Sequence, residues 1–259
     1  MNLNRFLSPS VVPVLFMLVA TSASAGTSLH QARYGYSVVL PDGWEQIPIE
    51  VINAQTRAIT TMATSPLGQH YEDGFQQSAQ GKWFHCPFVL VQVKETGRVP
   101  EAQFTRMKSL SANVKKDMDI ASEKLAKIVS GMSLGDTYYD PSNKCLWVRM
   151  SMNVGSVGEV RAVTCSFLTE KGWVSFFCYE NAAEFDRQLA TFLELLRSVQ
   201  FTEALRYKPH YGDHFGFDFS RLGRSVVVGG LSGGLIWLAI RLMKKQQAKK
   251  PPVEPPPLS

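Results

Sequence analysis

A run of sixteen uncharged residues near the C-terminus, from Ser225 to Ile240, constrains this chain most. A helix of that length rises about 24 Å, and continuing it past a snorkelling Arg241 to residue 243 gives about 28 Å. That length matches the hydrocarbon core of a bilayer, and two lysines follow directly. We therefore expect a single transmembrane helix over residues 225–243, in preference to a buried core helix.

The N-terminus carries a second apolar segment of a different kind. Residues 1–25 combine a short region containing Arg5, an apolar stretch from Val11 to Ala20, and a small-x-small end at residues 23–25. This pattern is typical of a cleaved secretory signal, because the stretch is too short to span a bilayer. The signal orients the span, so we expect an extracytoplasmic body, periplasmic in a Gram-negative cell. The basic, proline-rich tail, residues 244–259, would be cytoplasmic.

Small residues recur within the predicted span at a spacing of four. Two overlapping GxxxG-like patterns result, formed by Ser225, Gly229 and Gly233 and by Gly230 and Gly234. Such a stripe lets a second helix approach closely, which predicts a homodimer or a partner transmembrane helix. Small residues are also common in such spans without any partner.

The formal charge excludes one class of function. Six basic residues and one acidic residue lie outside residues 26–240, which leaves 21 basic and 21 acidic residues within that range. A neutral body lacks the basic field of a nucleic-acid binder. About 200 residues remain for it, which is the size of one domain.

The body alternates strand and helix signals. We predict a strand from Tyr34 to Leu40 ended by a Pro-Asp-Gly turn before Trp44, a short helix over residues 49–58, a loop to residue 80, and a strand over residues 88–95. A 3-4 spacing from Phe104 predicts a long amphipathic helix ending at Gly131. An antiparallel meander over residues 146–152, 159–168 and 173–179 follows. Asn181 then caps a last helix, with Glu184 at its third position.

This order predicts an α+β fold in which helices cover an antiparallel sheet. The opening YGYSVVLPDGW, the long central helix, the late meander and the ending LLRSVQF resemble the PsbP-type αβα sandwich, shared with Mog-type Ran-binding proteins and related bacterial secreted domains. The resemblance covers residues 34–201. It implies a non-catalytic domain that binds partners or assists assembly.

Four cysteines in an exported body permit two disulfides. Centring the meander turns in their loops places Cys165 and Cys178 on one sheet face and Cys145 on the other. Because Cys165 and Cys178 share a face, we expect a bridge between them, and the second bridge would then join Cys86 to Cys145. The alternative is that the thiols are buried and free.

Two further patterns suggest chemistry only weakly. His85 and Cys86 are adjacent and would point to opposite faces of an extended chain, which disfavours a catalytic pair. His210, Asp213 and His214 have a spacing compatible with a metal, but prolines and glycines there argue against a regular helix. We assign them to an aromatic juxtamembrane linker, residues 204–224.

The sequence therefore predicts a signal peptide (1–25), an extracytoplasmic αβα domain (26–203), the linker, the span and the tail. We expect a membrane-anchored binding or assembly module with no cofactor and no enzymatic activity. The alternatives are a membrane-tethered hydrolase or metal-dependent enzyme using Cys86 or His210 with His214, and a carrier of a small apolar ligand.

Overall fold

The structure, a computed structural model, describes residues 27–62, 70–102, 129–154 and 158–210. Its elements in chain order are β1 (Ser28–Gln31), β2 (Tyr36–Leu40), β3 (Trp44–Gln46), α1 (Ile49–Met62), β4 (Asp73–Gln77), β5 (Phe88–Lys94), β6 (Val129–Asp140), β7 (Cys145–Val154), β8 (Gly158–Thr169), β9 (Gly172–Asn181), α2 (Ala182–Arg197) and β10 (Gln200–Phe201).

Two antiparallel sheets organise the described residues. The larger has seven strands in the order β3-β4-β5-β9-β8-β7-β6, and the smaller has three in the order β1-β2-β10. The expected α+β class with an antiparallel sheet is confirmed. β9 lies at the centre of the large sheet, and both its faces are buried, which agrees with its nearly continuous apolar sequence.

Each face of the large sheet has its own apolar core. On one face, which we call the α2 face, α2 packs its buried stripe of Phe185, Phe192, Leu195 and Leu196 together with the small sheet. The opposite face, the α1 face, packs against α1 through Ile52. Gly74 in β4 permits this contact, since a Cβ there would lie 3.0 Å from the Ile52 Cδ1 atom.

Several expected elements are confirmed with shifted ends. β2, the turn before Trp44, α1, β5, the three meander strands and α2 all form, and α1 runs four residues further than predicted, to Met62. β4 was missed because its sequence, DGFQQ, has low strand propensity. It forms because β3 and β5 pair with it on either side.

The prediction around Gly131 was wrong. Residues 129–131 belong to strand β6 and not to a helix, and β6 adds a fourth strand to the meander by pairing with β7. The apolar/polar alternation expected of a strand is hard to see in β6, because it contains Gly131 and Gly135 and its pairing with β7 has two register shifts.

The capping prediction for α2 was also wrong in detail. Asn181 occupies the N-cap position, but its side chain makes no capping bond. Its Nδ2 donates instead to Glu180 Oε1 at 3.0 Å, and Glu184 pairs with Arg187.

Several predicted segments lie outside the described residues. They are the signal peptide, the helix over residues 104–128, the linker beyond residue 210, the span with its small-residue stripe, and the tail. Among the residues that the structure describes, no helix is both long and apolar enough to cross a membrane.

Candidate functional site

The segment that follows β10 is bound tightly to the body. We call residues 202–210 the exit segment, because the chain leaves the described body there. The Glu170 carboxylate, in the turn between β8 and β9, accepts the Lys208 backbone N–H at 2.7 Å and contacts Arg98 Nε at 3.3 Å. The Glu170 backbone N–H donates to the Leu205 carbonyl at 3.0 Å. A single glutamate thus joins three separate parts of the chain.

An aromatic contact strengthens this junction. Tyr207 is 8% exposed and belongs to the core on the α1 face. The Arg98 guanidinium lies 4.5 Å above the centroid of its ring, in cation–π geometry, and its Nη2 donates to the Lys208 carbonyl at 2.5 Å. Because a buried ring and a charge-assisted network hold the segment, its direction relative to the sheet is set.

Charged side chains surround this point and form what we call the exit surface: Arg98, Glu170, Lys171, Glu203, Arg206 and Lys208. The exposed Glu203 carboxylate receives Lys208 Nζ at 3.0 Å and Arg206 Nη1 at 3.3 Å. The hydrogen bond from Lys208 lowers the pKa of Glu203. Four cations and two carboxylates leave this surface with an excess of two positive charges.

The turn between β8 and β9 depends on glycine. Gly172 has φ +146°, and a Cβ built on it would lie 1.9 Å from the Lys94 carbonyl oxygen. The Gly97 backbone N–H donates to the Lys171 carbonyl at 3.0 Å. The end of β5 therefore lies directly against the turn, which brings Arg98 within reach of Glu170.

A cluster of titratable groups lies where β1, β2 and β4 meet. The Tyr36 hydroxyl donates to Asp73 Oδ2, Gln46 Nε2 donates to Asp73 Oδ1 at 2.9 Å, and His30 Nε2 lies 3.5 Å from Asp73 Oδ2. Burial, followed by the Asp73 charge, raises the pKa of Tyr36 far above that of an ordinary phenol. A tyrosine in this state is a poor nucleophile and a poor acid.

A second carboxylate next to this cluster has a similar structural role. Glu72 Oε2 accepts Arg33 Nη2 at 3.0 Å, and Oε1 lies 3.4 Å from His70 Nε2. The same Arg33 nitrogen donates to the Tyr34 hydroxyl at 2.6 Å. Burial, followed by its hydrogen bond with Glu72, raises the pKa of Tyr34. These contacts attach the β1–β2 turn to the start of β4.

Three of the four cysteines share one face of the sheet. Cys145, Cys165 and Cys178 all lie in the core on the α2 face, so the expected position of Cys145 on the other face was wrong. β7 and β8 pair with Val154 opposite Gly158, a register shifted by one residue from the predicted one. Burial raises the pKa of the Cys178 thiol, and burial followed by a hydrogen bond with Cys145 raises that of Cys165.

The proposed Cys86–Cys145 bridge does not fit this topology. Cys86 packs on the α1 face two residues before β5, whereas Cys145 begins β7 on the α2 face. Strands β9 and β8 lie between, a separation of about 14 Å, and a disulfide needs Cα atoms within about 7 Å.

The Cys165–Cys178 bridge stays a prediction. Cys165 pairs with Phe176, two residues from Cys178, so the two cysteines are diagonal neighbours. Diagonal Cα atoms are about 7–8 Å apart, at the upper limit for a bridge. All four cysteines are free thiols in this structure.

Only one of the three residues of the possible metal motif, His210, lies within the described chain. His210 Nε2 lies 3.9 Å from Glu170 Oε2, so it borders the exit surface. Asp213 and His214 lie outside the described residues. Within the described ranges, no group of three or more His, Cys, Asp or Glu side chains is placed to bind a metal ion.

Sequence reasoning missed a strip of polar side chains inside the core on the α1 face. Gln92, Ser175 and Ser166 pair across β5, β9 and β8, with Thr164 next along β8, and all four are fully buried. The two serine hydroxyls lie 2.7 Å apart, and Gln92 Nε2 donates to the His70 carbonyl at 3.3 Å. Among the described residues, Thr164 Oγ1 has no hydrogen-bond partner.

Two solved structures of known proteins are similar to this chain. No protein-family model and no curated protein sequence matches the chain. The cyanobacterial PsbP (CyanoP) of Synechocystis sp. PCC 6803 is similar in structure, with 11% identity and a TM-score of 0.47 over 70% of this chain and 96% of that one. The Ran-binding protein Mog1p of Saccharomyces cerevisiae is similar at 8% identity and a TM-score of 0.34, over 69% and 96%.

Proposed function

We propose that this chain is a membrane-anchored, extracytoplasmic binding or assembly module without catalytic activity. The observation that carries the proposal is the fixation of the exit segment by Glu170, Arg98 and Tyr207. A body tethered through a loose chain could point in any direction. In this body the last described residues are bound to the β8–β9 hairpin, so the chain that follows leaves from one fixed point, which suits a module held beside other components.

The state of the titratable groups also supports a binding role. An activated nucleophile needs a lowered pKa or an adjacent free base. Burial raises the pKa of Cys165, Cys178 and Tyr36 instead. The Asp73 carboxylate is already occupied by Tyr36 and Gln46. These groups act in the described body as structural contacts between strands.

Topology is tested first, on the full-length chain in its native membrane. Alkaline carbonate should leave the protein in the membrane pellet, because that treatment releases peripheral proteins and not proteins that span the bilayer. Protease added to the outer side should digest the body and leave the tail after residue 244 protected. Recovery of the chain in the soluble fraction would overturn the anchor.

The partner is tested by affinity capture of the solubilised full-length protein, beside a variant truncated after His210. That variant retains the exit segment and therefore the whole described body. A partner lost on truncation places recognition in the membrane segment, and a partner retained places it in the body. The absence of a reproducible partner from both proteins would contradict an assembly role.

Self-association through the span has its own test. Replacing Gly229 and Gly233 by Ile should reduce dimerisation in a membrane reporter assay, because the larger side chains keep the helices apart. Val227 and Leu231 have the same spacing but lie about 200° around a helix from the glycines, so replacing them by Ile is the matched control. Equal dimerisation of both variants would exclude the small-residue stripe as the interface.

A further inference from the structure

The exit surface occupies one end of the large sheet. Lys171 lies in the turn between β8 and β9, Arg98 follows the end of β5, and the exit segment crosses beside them. Arg206 and Lys208 are exposed, at 65% and 55% of their side-chain surface. This end of the body is therefore both the point of chain departure and a charged, solvent-facing surface.

The length of chain beyond this point limits how far the surface can lie from a bilayer. Fourteen residues separate His210 from Ser225, where the predicted span begins. Whatever their conformation, fourteen residues reach at most about 50 Å. A tether of this length holds the surface at a high effective concentration beside the membrane, so that even a weakly attractive docked state is populated.

The charges on this surface match an acidic membrane. Glu170 offsets Arg98, and Glu203 is shared between Arg206 and Lys208, so two positive charges remain in excess. The segment from residue 26 to 240 as a whole has no net charge. The exit surface therefore has a local positive excess within a neutral body. Nearby charges at the same end cancel in two pairs, Lys94 with Glu95 and Lys144 with Glu101, while Asp140 adds one negative charge.

We propose that the exit surface docks on acidic phospholipid headgroups of the bilayer in which the chain is anchored. This inference rests on the proposed membrane anchor and adds the orientation of the body and the kind of surface it contacts. Two charges near an anionic leaflet favour the docked state about 30-fold, which corresponds to about 2 kcal/mol at about 1.4 kcal/mol per factor of ten. The strands of the large sheet would then meet the membrane end-on.

The test uses the full-length chain in nanodiscs of phosphatidylcholine alone and of phosphatidylcholine mixed with phosphatidylglycerol. Amide hydrogen exchange is measured over residues 95–98, 169–172 and 202–208. We expect slower exchange in all three segments in the anionic discs, and high salt should abolish the difference because it screens surface charges. The far end of the sheet, around Glu159 and Arg161, should exchange equally in both discs.

Charge reversal supplies the matched comparison. The variant Lys171→Glu with Arg206→Glu should lose the lipid-dependent protection. The control, Arg161→Glu with Arg187→Glu, changes the charge equally at the far end, where Arg187 pairs with Glu184 as Arg206 pairs with Glu203. Unchanged exchange in β7 and β9 reports that each variant is folded.

The outcomes separate the inference from the anchor on which it rests. A chain that does not enter either disc would overturn the anchor and the docking together. A chain that enters both discs and exchanges identically in them would overturn the docking alone. Protection that is equal in neutral and anionic discs, or that survives Lys171→Glu with Arg206→Glu, would also overturn it.

Discussion

Replacing Gly172 by alanine tests whether the close contact between the β8–β9 turn and β5 holds the exit surface together. The backbone there has φ +146°, a region in which a side chain costs about 1–3 kcal/mol. The new Cβ would lie 1.9 Å from the Lys94 carbonyl oxygen. Because both atoms are attached to backbone, a rotamer change cannot relieve the overlap, and β5 must move away from the turn. Such forced shifts cost about 1–3 kcal/mol more.

The total expected loss is about 2–6 kcal/mol of unfolding free energy, or roughly 5–20 °C in Tm for a body of this size. Gly97→Ala is the matched control. Gly97 also has a positive φ, +84°, and its N–H bonds the same turn, but nothing lies within 4 Å of its added Cβ. Alanine there should cost only about 1–2 kcal/mol, from backbone strain alone.

Urea unfolding of both variants, followed by tryptophan fluorescence, measures the difference directly. Trp173 is adjacent to the turn and only 4% exposed, so its emission reports the region. We expect the unfolding free energy of Gly172→Ala to lie well below that of Gly97→Ala. Equal costs for the two variants would refute the argument, because they would show that β5 and the turn separate freely.

Three further predictions concern buried groups. Thr164→Val should raise the unfolding free energy by about 1 kcal/mol in urea titrations, since it removes a buried hydroxyl with no hydrogen-bond partner in the described part of the chain, and a loss of stability would contradict this. Burial raises the pKa of Glu180 above its ordinary 4.5, so its contribution to stability is complete below that pH and is lost as the pH rises through the folded-state pKa. The unfolding free energy of Glu180→Gln should therefore fall less than that of the wild type over this range, and parallel pH profiles would exclude a role for burial. In the native protein, iodoacetamide should modify the half-buried Cys86 before the buried Cys178, as peptide mass spectrometry can measure; labelling of Cys86 only after reduction would instead reveal a disulfide.

The local pattern of residues was sufficient for much of the fold. The apolar, valine-rich run of β5, the turn chemistry before Trp44 and the apolar stripe of α2 each arise from neighbours along the chain. Such signals depend on the geometry of a single strand, turn or helix. For this reason the α+β class and the antiparallel meander were predictable without any tertiary contact.

Tertiary structure decided what depends on register and on pairing between distant segments. β4 and β6 contain glycines and polar residues and form because neighbouring strands bond to them. The register of β7 against β8 places Cys145 on the face of the sheet opposite to the predicted one, since a shift of one residue reverses every side chain. Glu170 and Arg98 are 72 residues apart, and only the approach of β5 to the β8–β9 turn brings them together. Local periodicity identifies the elements, but it contains no information about which elements meet, and the contacts of Glu170 with Arg98 and with the Lys208 backbone are such meetings.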